Sequence, residues 1–95
     1  MHVRHLGLAR LTVGCGAEVV PIEAGATVRS LFEALAARHG QEFRQSFLTR
    51  EETLCANVTV LVEGRSIEKL AGLDTPLADG AHVSILLTVQ AMAGG

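Results

Sequence analysis

The chain has 95 residues, enough for one domain with one core and too few for two. Apolar residues make up 48% but aromatics only 3%, with three Phe and no Trp or Tyr, so the core must be aliphatic and no stacking surface for bases or sugars is expected. Eight basic and ten acidic residues give a formal charge of -2 without a Lys/Arg stripe, which argues against nucleic acid as a partner.

From the N-terminus, "VRHLGLARLTV" (Val3 to Val13) reads as a first strand that runs into "GCG" at Gly14 to Gly16, a glycine-punctuated break that reads as a hairpin or short loop before the antiparallel return. "EVVPI" (Glu18 to Ile22) is then the returning strand. Pro21 offers no N–H to a ladder, so this strand is expected at a sheet edge. In "ATVRSLFEALAARHG" the period changes: Val28, Leu31, Phe32, Leu35 and Ala36 recur at helical spacing, Thr27 is a suitable N-cap and Gly40 a suitable stop. From Gln41 to Glu52 the pattern loosens, but Phe43 and Phe47 are four apart and fit one helical turn over the end of the core.

"NVTVLV" (Asn57 to Val62) alternates as a strand, Glu63-Gly64 marks a turn, and Ile67 is expected to begin a short strand. "LAGLDTPLADGAHV" is punctuated by Gly72, Pro76 and Asp79-Gly80 and reads as loop, and "HVSILLTV" is the last strand. The order is two strands, one long helix, a strand, a short strand and a final strand. By layer logic that is α+β, a helix lying across one face of a sheet. The longest apolar run, around Ser84 to Val89, is far too short to cross a bilayer, and "MHVRHLGLAR" has neither an apolar signal region nor a cleavage site. A cytoplasmic protein with no membrane partner is expected.

Few side chains offer chemistry. Cys15 and Cys55 have neither zinc-knuckle nor CxxC spacing, and each is expected to act as a small, partly buried apolar residue. His2, His5, His39 and His82 show no ligand spacing, so surface positions are expected for them and no metal is assigned. Arg44, Arg50, Arg65 and Lys69 read as solvated surface. In the last strand Val83, Ile85, Leu87 and Val89 share one face, which leaves Leu86 as the apolar residue on the other. In "NVTVLVE" Leu61 holds the same place opposite Val58, Val60 and Val62. Leu61 and Leu86 are therefore candidates for an exposed apolar docking patch.

The chain ends on "VQAMAGG", in which no side chain can serve as acid, base, nucleophile or ligand and only the terminal carboxylate is reactive. With glycine at roughly 7% of average usage a terminal Gly-Gly arises by chance in about one chain in 200, and with 10 glycines in these 95 residues the chance is nearer about one in a hundred. Together with "GATVRSLFEAL" at the helix entry and "PLADGAHVSIL" before the last strand, this ending resembles the β-grasp sulfur carriers over essentially the whole chain. That family includes the small subunit of molybdopterin synthase, the thiamin-pathway carrier and the cysteine-biosynthesis carrier.

The resemblance implies a ubiquitin-like β-grasp over residues 1–90, a mixed sheet wrapped over one main helix, followed by a flexible tail over 91–95. It further implies a protein co-substrate rather than an enzyme, with no bound cofactor. A ubiquitin-activating-like adenylyltransferase would consume ATP to convert the Gly95 carboxylate into an acyl adenylate, and a sulfur donor would displace AMP to leave a thiocarboxylate. Gly94, preceded by Ala93, would thread the partner's narrow tunnel, since glycine has no Cβ to jam there. The sulfur would pass to an accepting synthase, of the molybdopterin synthase large-subunit type or the cysteine synthase type.

The stretch "HLGLAR" departs from the molybdenum branch, which usually carries "FA" in its first strand, and the long segment from Gln41 to Ala56 resembles the cysteine-biosynthesis carrier more. A ubiquitin-like modifier, joined through Gly95 to lysines of other proteins, is the alternative. A plain binding module would work without Gly94-Gly95. A [2Fe–2S] module is excluded, because its cluster needs four cysteines and the chain has two.

Overall fold

The computed structural model describes residues 1–23 and 25–88. Its first strand, β1 (His2–Gly7), stops well short of the expected boundary. Alternation of buried and exposed side chains holds from His2 to Leu6, and then the chain bends at Gly7, φ +62°, into a short helix, α1 (Leu8–Val13). The sequence "LARLTV" has no period-two pattern, and turning it helical buries Ala9 completely. "GCG" is therefore the short loop from α1 into the returning strand rather than the turn of a hairpin, and the expected antiparallel pairing at the N-terminus holds. Gly14 caps α1 in the left-handed region, its N–H donating to Arg10 O, and the chain returns as β2 (Ala17–Val19).

The main helix, α2 (Val28–His39), begins and ends where its sequence predicts. Thr27 and Ser30 form a reciprocal capping box, and Gly40 follows the last turn. Val28, Leu31, Phe32 and Leu35 are its buried stripe. A second helix, α3 (Gln41–Phe47), brings Phe43 and Phe47 into a stack with ring centroids 4.4 Å apart, and both meet Phe32 edge-on at 5.8 and 6.4 Å. These are all three phenylalanines of the chain, gathered at one end of an otherwise aliphatic core.

β3 (Val58–Val62) turns through Glu63-Gly64 into the two-residue β4 (Arg65–Ser66). Ile67, expected to begin a strand, opens a single 3₁₀ turn (Ile67–Lys69) instead, because Ser66 caps it by accepting from the Glu68 N–H while Ile67 drops into the core. A second 3₁₀ turn (Gly72–Asp74) lies in the connection to β5 (His82–Leu87).

The sheet order is β2-β1-β5-β3-β4. β2 does lie at an edge, and Pro21 falls just beyond it. β1 and β5 run parallel in the centre, while β2, β3 and β4 pair antiparallel to their neighbours. Val3, Val58, Val60, Val62, Val83, Ile85 and Leu87 face α2 and are buried. Each such side chain contributes about 1.5–3 kcal/mol relative to exposure. The result is the expected α+β, ubiquitin-like β-grasp: a mixed sheet wrapped over one main helix, with α1 and α3 as additions. No helix among the described residues is long and apolar enough to cross a membrane.

Candidate functional site

Gly95, Gly94 and Ala93, the expected reactive terminus, lie outside the described residues, as does Val89 at the end of the expected last strand. The structure does define how the chain is held just before them. At Thr88 the N–H donates to Asn57 O (3.1 Å), and the Asn57 side-chain amide donates to Thr88 O (2.8 Å). On the other flank Gly7 lies so close that a Cβ there would be 2.7 Å from Leu87 O. The end of β5 is thus gripped by both neighbouring strands.

The sheet face away from α2 carries the two candidate docking residues. Leu61 and Leu86 are half-buried there; because Leu86 pairs with Thr59 and Leu61 with Ser84, the two leucines are diagonal neighbours across β3 and β5. Leu6 of β1 pairs directly with Leu86 and is 37% exposed. Three leucines therefore form one apolar patch, which continues past Leu61 to Leu70, Arg65 and Lys69. Arg4 and the stacked rings of His2 and His82, 4.7 Å apart, occupy the same face toward its other end.

Arg44 is not simply solvated. It spans from α3 to Glu33 of α2 (2.6 and 2.7 Å) and to Glu52 (2.7 Å), which commits it to holding the helices together. Cys15 and Cys55 are both half-buried thiols.

Two histidines break the expectation of surface positions. His5 follows Val3 on the inner face of β1 and is 1% exposed; His39, in the last turn of α2, is half-buried. Both converge on Glu18 of β2. His5 Nε2 donates to Glu18 Oε2 (2.6 Å), His39 Nε2 donates to the same oxygen (2.8 Å), Arg38 donates to Oε1 (2.8 Å), and the Cys15 thiol lies 3.8 Å from Oε2. Burial raises the Glu18 pKa, but hydrogen bonds from Arg38, His5 and His39 outweigh it and hold the carboxyl at about 2. Burial pushes the Cys15 thiol up, and the Glu18 charge pushes it further. The signal that could have found this cluster was the alternation in "HVRHL", which puts His5 on the same face as Val3.

Comparison with known proteins places the chain in context. The profile of the ThiS family matches residues 4–95. No curated protein matches the chain. Among solved structures, a candidate molybdopterin converting factor subunit 1 from Pyrococcus furiosus is 27% identical, with a TM-score of 0.72 over 93% of this chain and 95% of its own. Small archaeal modifier protein 1 of Haloferax volcanii is 20% identical, with a TM-score of 0.79 over 94% of this chain and 97% of its own. The structure of a BexX/CysO complex from Amycolatopsis orientalis contains a chain 24% identical, with a TM-score of 0.76 over 96% of this chain and 98% of its own. The two less similar chains share the fold.

Proposed function

The chain belongs to the ThiS family, and from that premise we propose that it is a sulfur carrier whose reactive group is the Gly95 carboxylate. The observation that carries this reading is the Gly94-Gly95 ending, which the sequence places seven residues beyond the last strand, β5 (His82–Leu87), of a β-grasp sheet. A partner adenylyltransferase transfers AMP from ATP to a Gly95 oxygen with loss of pyrophosphate. A sulfur nucleophile then displaces AMP and leaves a thiocarboxylate. The carrier contributes no acid or base to these steps and needs no cofactor for them; it presents one atom and a docking surface.

Leu6, Leu61 and Leu86 supply that surface to the activating enzyme, and Ala93 and Gly94 supply the narrow arm that reaches its active site. The long segment between α2 and β3 leans the acceptor toward the cysteine synthase type, with a molybdopterin synthase large subunit as the other candidate. The intact mass of the protein, after incubation with ATP, a sulfide source and an activating partner, tests the reading. A gain equal to replacing one oxygen by sulfur, absent when Gly95 is deleted, is expected. A truncated chain that still supports the full pathway would overturn it in favour of a plain binding module.

The second reading, a modifier joined through the same Gly95 adenylate to lysine, is favoured by the fold shared with the small archaeal modifier protein. It predicts branched Gly95–lysine peptides after digestion of reactions that contain other proteins.

A further inference from the structure

Glu18 Oε2 is surrounded by donors that a purely structural ion pair would not require. Arg38 already neutralises the carboxylate through Oε1, yet His5 and Cys15 turn toward the other oxygen and His39 Nε2 lies between the two, 2.8 Å from Oε2 and 3.1 Å from Oε1. The ligand atoms of His5, Cys15 and Glu18 lie within 4.8 Å of one another, and His39 Nε2 is 2.8 Å from the same Glu18 oxygen. His5, fully buried, faces this cluster through Nε2, while its Nδ1, on the far side of the ring, has no hydrogen-bond partner among the described residues and plays no part in the cluster.

We propose that His5, Cys15, Glu18 and His39 form a binding site for one divalent cation of the zinc class. Two imidazoles, a thiolate and a carboxylate are the borderline-soft nitrogen, sulfur and oxygen donors that zinc takes in four-coordinate sites. They come from β1, the α1–β2 connection, β2 and the end of α2, so the cation would tie together the edge of the sheet and the main helix. Glu18 Oε2 stands near the centre of the donors, and a rotation of the carboxylate makes room for the cation while Arg38 keeps Oε1.

Binding forms two metal–nitrogen bonds, one metal–oxygen bond and one metal–sulfur bond. The Cys15 thiol proton goes to solvent, and the Nε2 proton of each neutral imidazole is replaced by the metal and moves to Nδ1. Nothing is oxidised or reduced. The spacing of positions 5, 15, 18 and 39 matches no short ligand motif, because the site is assembled by sheet pairing rather than within one loop.

The test is a titration of the full chain, freed of metal by a chelator and kept reduced, with Co²⁺ alone and then with Zn²⁺ as competitor. One equivalent of Co²⁺ is expected to give a thiolate-to-cobalt band in the near ultraviolet together with the strong visible bands of a tetrahedral site, both erased by one equivalent of Zn²⁺. Cys15→Ser should abolish the near-ultraviolet band. His39→Gln should weaken Zn²⁺ binding by more than the roughly 10–100-fold that losing an outer-shell partner costs. Cys55→Ser should leave both unchanged, and it reports on Cys15 even if the Cys15 variant fails to fold. The stacked pair His2 and His82 is the competing site. No stoichiometric binding, or binding unchanged in the Cys15 and His39 variants and lost in His2→Gln/His82→Gln, would overturn the proposal.

Discussion

Glu18 is a single residue on which four others depend, and its charge has a measurable consequence. Its carboxyl titrates at about 2 in the folded chain against a reference of 4.5. A carboxylate whose pKa is lowered by folding adds stability above the unfolded value and loses it as the pH falls through the folded value. In the metal-free protein the stability gap between the parent and Glu18→Gln should therefore be on the order of 2–3 kcal/mol at neutral pH and close as the pH falls from about 4.5 toward 2. Urea unfolding at a series of pH values measures it, and a gap independent of pH would show that Glu18 acts by shape rather than charge.

Gly7 is constrained differently. Its φ of +62° and the 2.7 Å approach of a Cβ to Leu87 O mean that Gly7→Ala meets both backbone strain and a collision with a backbone atom that cannot swing away. A loss of about 2–4 kcal/mol is expected in the same unfolding assay. Gly14→Ala, with a similar φ of +88° but open space around it, should cost only about 1 kcal/mol. Equal losses at the two positions would mean that the contact with Leu87 is relieved by a backbone shift.

Among the elements, α3 rests on a weak sequence signal yet carries two buried aromatics, Phe43 and Phe47. Phe47 is fully buried in the triad with Phe32 and Phe43, so Phe47→Ala should cost about 3–5 kcal/mol, read from the urea midpoint at unchanged slope. A loss below 1 kcal/mol would place the triad outside the cooperative core. Where periodicity and caps agreed, as in α2 with Thr27 and Gly40, the element was legible to the residue.

Elements were misread where a short apolar run fits two periods. "LARLTV" could extend a strand or start a helix, and what decided it was the turn at Gly7, set by the distant Leu87. Ile67 looked like a strand start, but the Ser66 cap and a pocket in the core drew it into a 3₁₀ turn. The candidate site divides in the same way. Leu61 and Leu86 are legible from alternation, whereas Leu6 joins them only through the parallel pairing of β1 with β5, which no local pattern announces. The Glu18 cluster was missed because its members are brought together only by β1–β2 pairing and by the packing of α2.

At the scale of the whole molecule, the parallel pairing of β1 with β5 puts the last strand at the centre of the sheet, flanked on the outer face by Leu6 from one neighbour and Leu61 from the other. On the proposed function, this patch on β5 and its neighbours is the surface that docks the activating enzyme. Leu86 lies in the middle of it and is only half-buried, so Leu86→Arg should leave the fold intact: a charge on the solvent side of a strand usually changes stability by about 0.5 kcal/mol or less. Docking should suffer far more, because the guanidinium would be desolvated against an apolar partner surface without a counter-charge. For thiocarboxylate formation by the activating enzyme, kcat/KM with Leu86→Arg should fall at least tenfold, about 1.4 kcal/mol, mostly through KM. On the proposed reading the rate at saturating carrier should change little, since the substitution leaves Gly95 unaltered. Arg50→Ala, away from this face, serves as the control. A tenfold fall confined to kcat would mean that the leucine patch positions the tail rather than recruiting the enzyme, and no fall at all would move the docking surface elsewhere on the molecule.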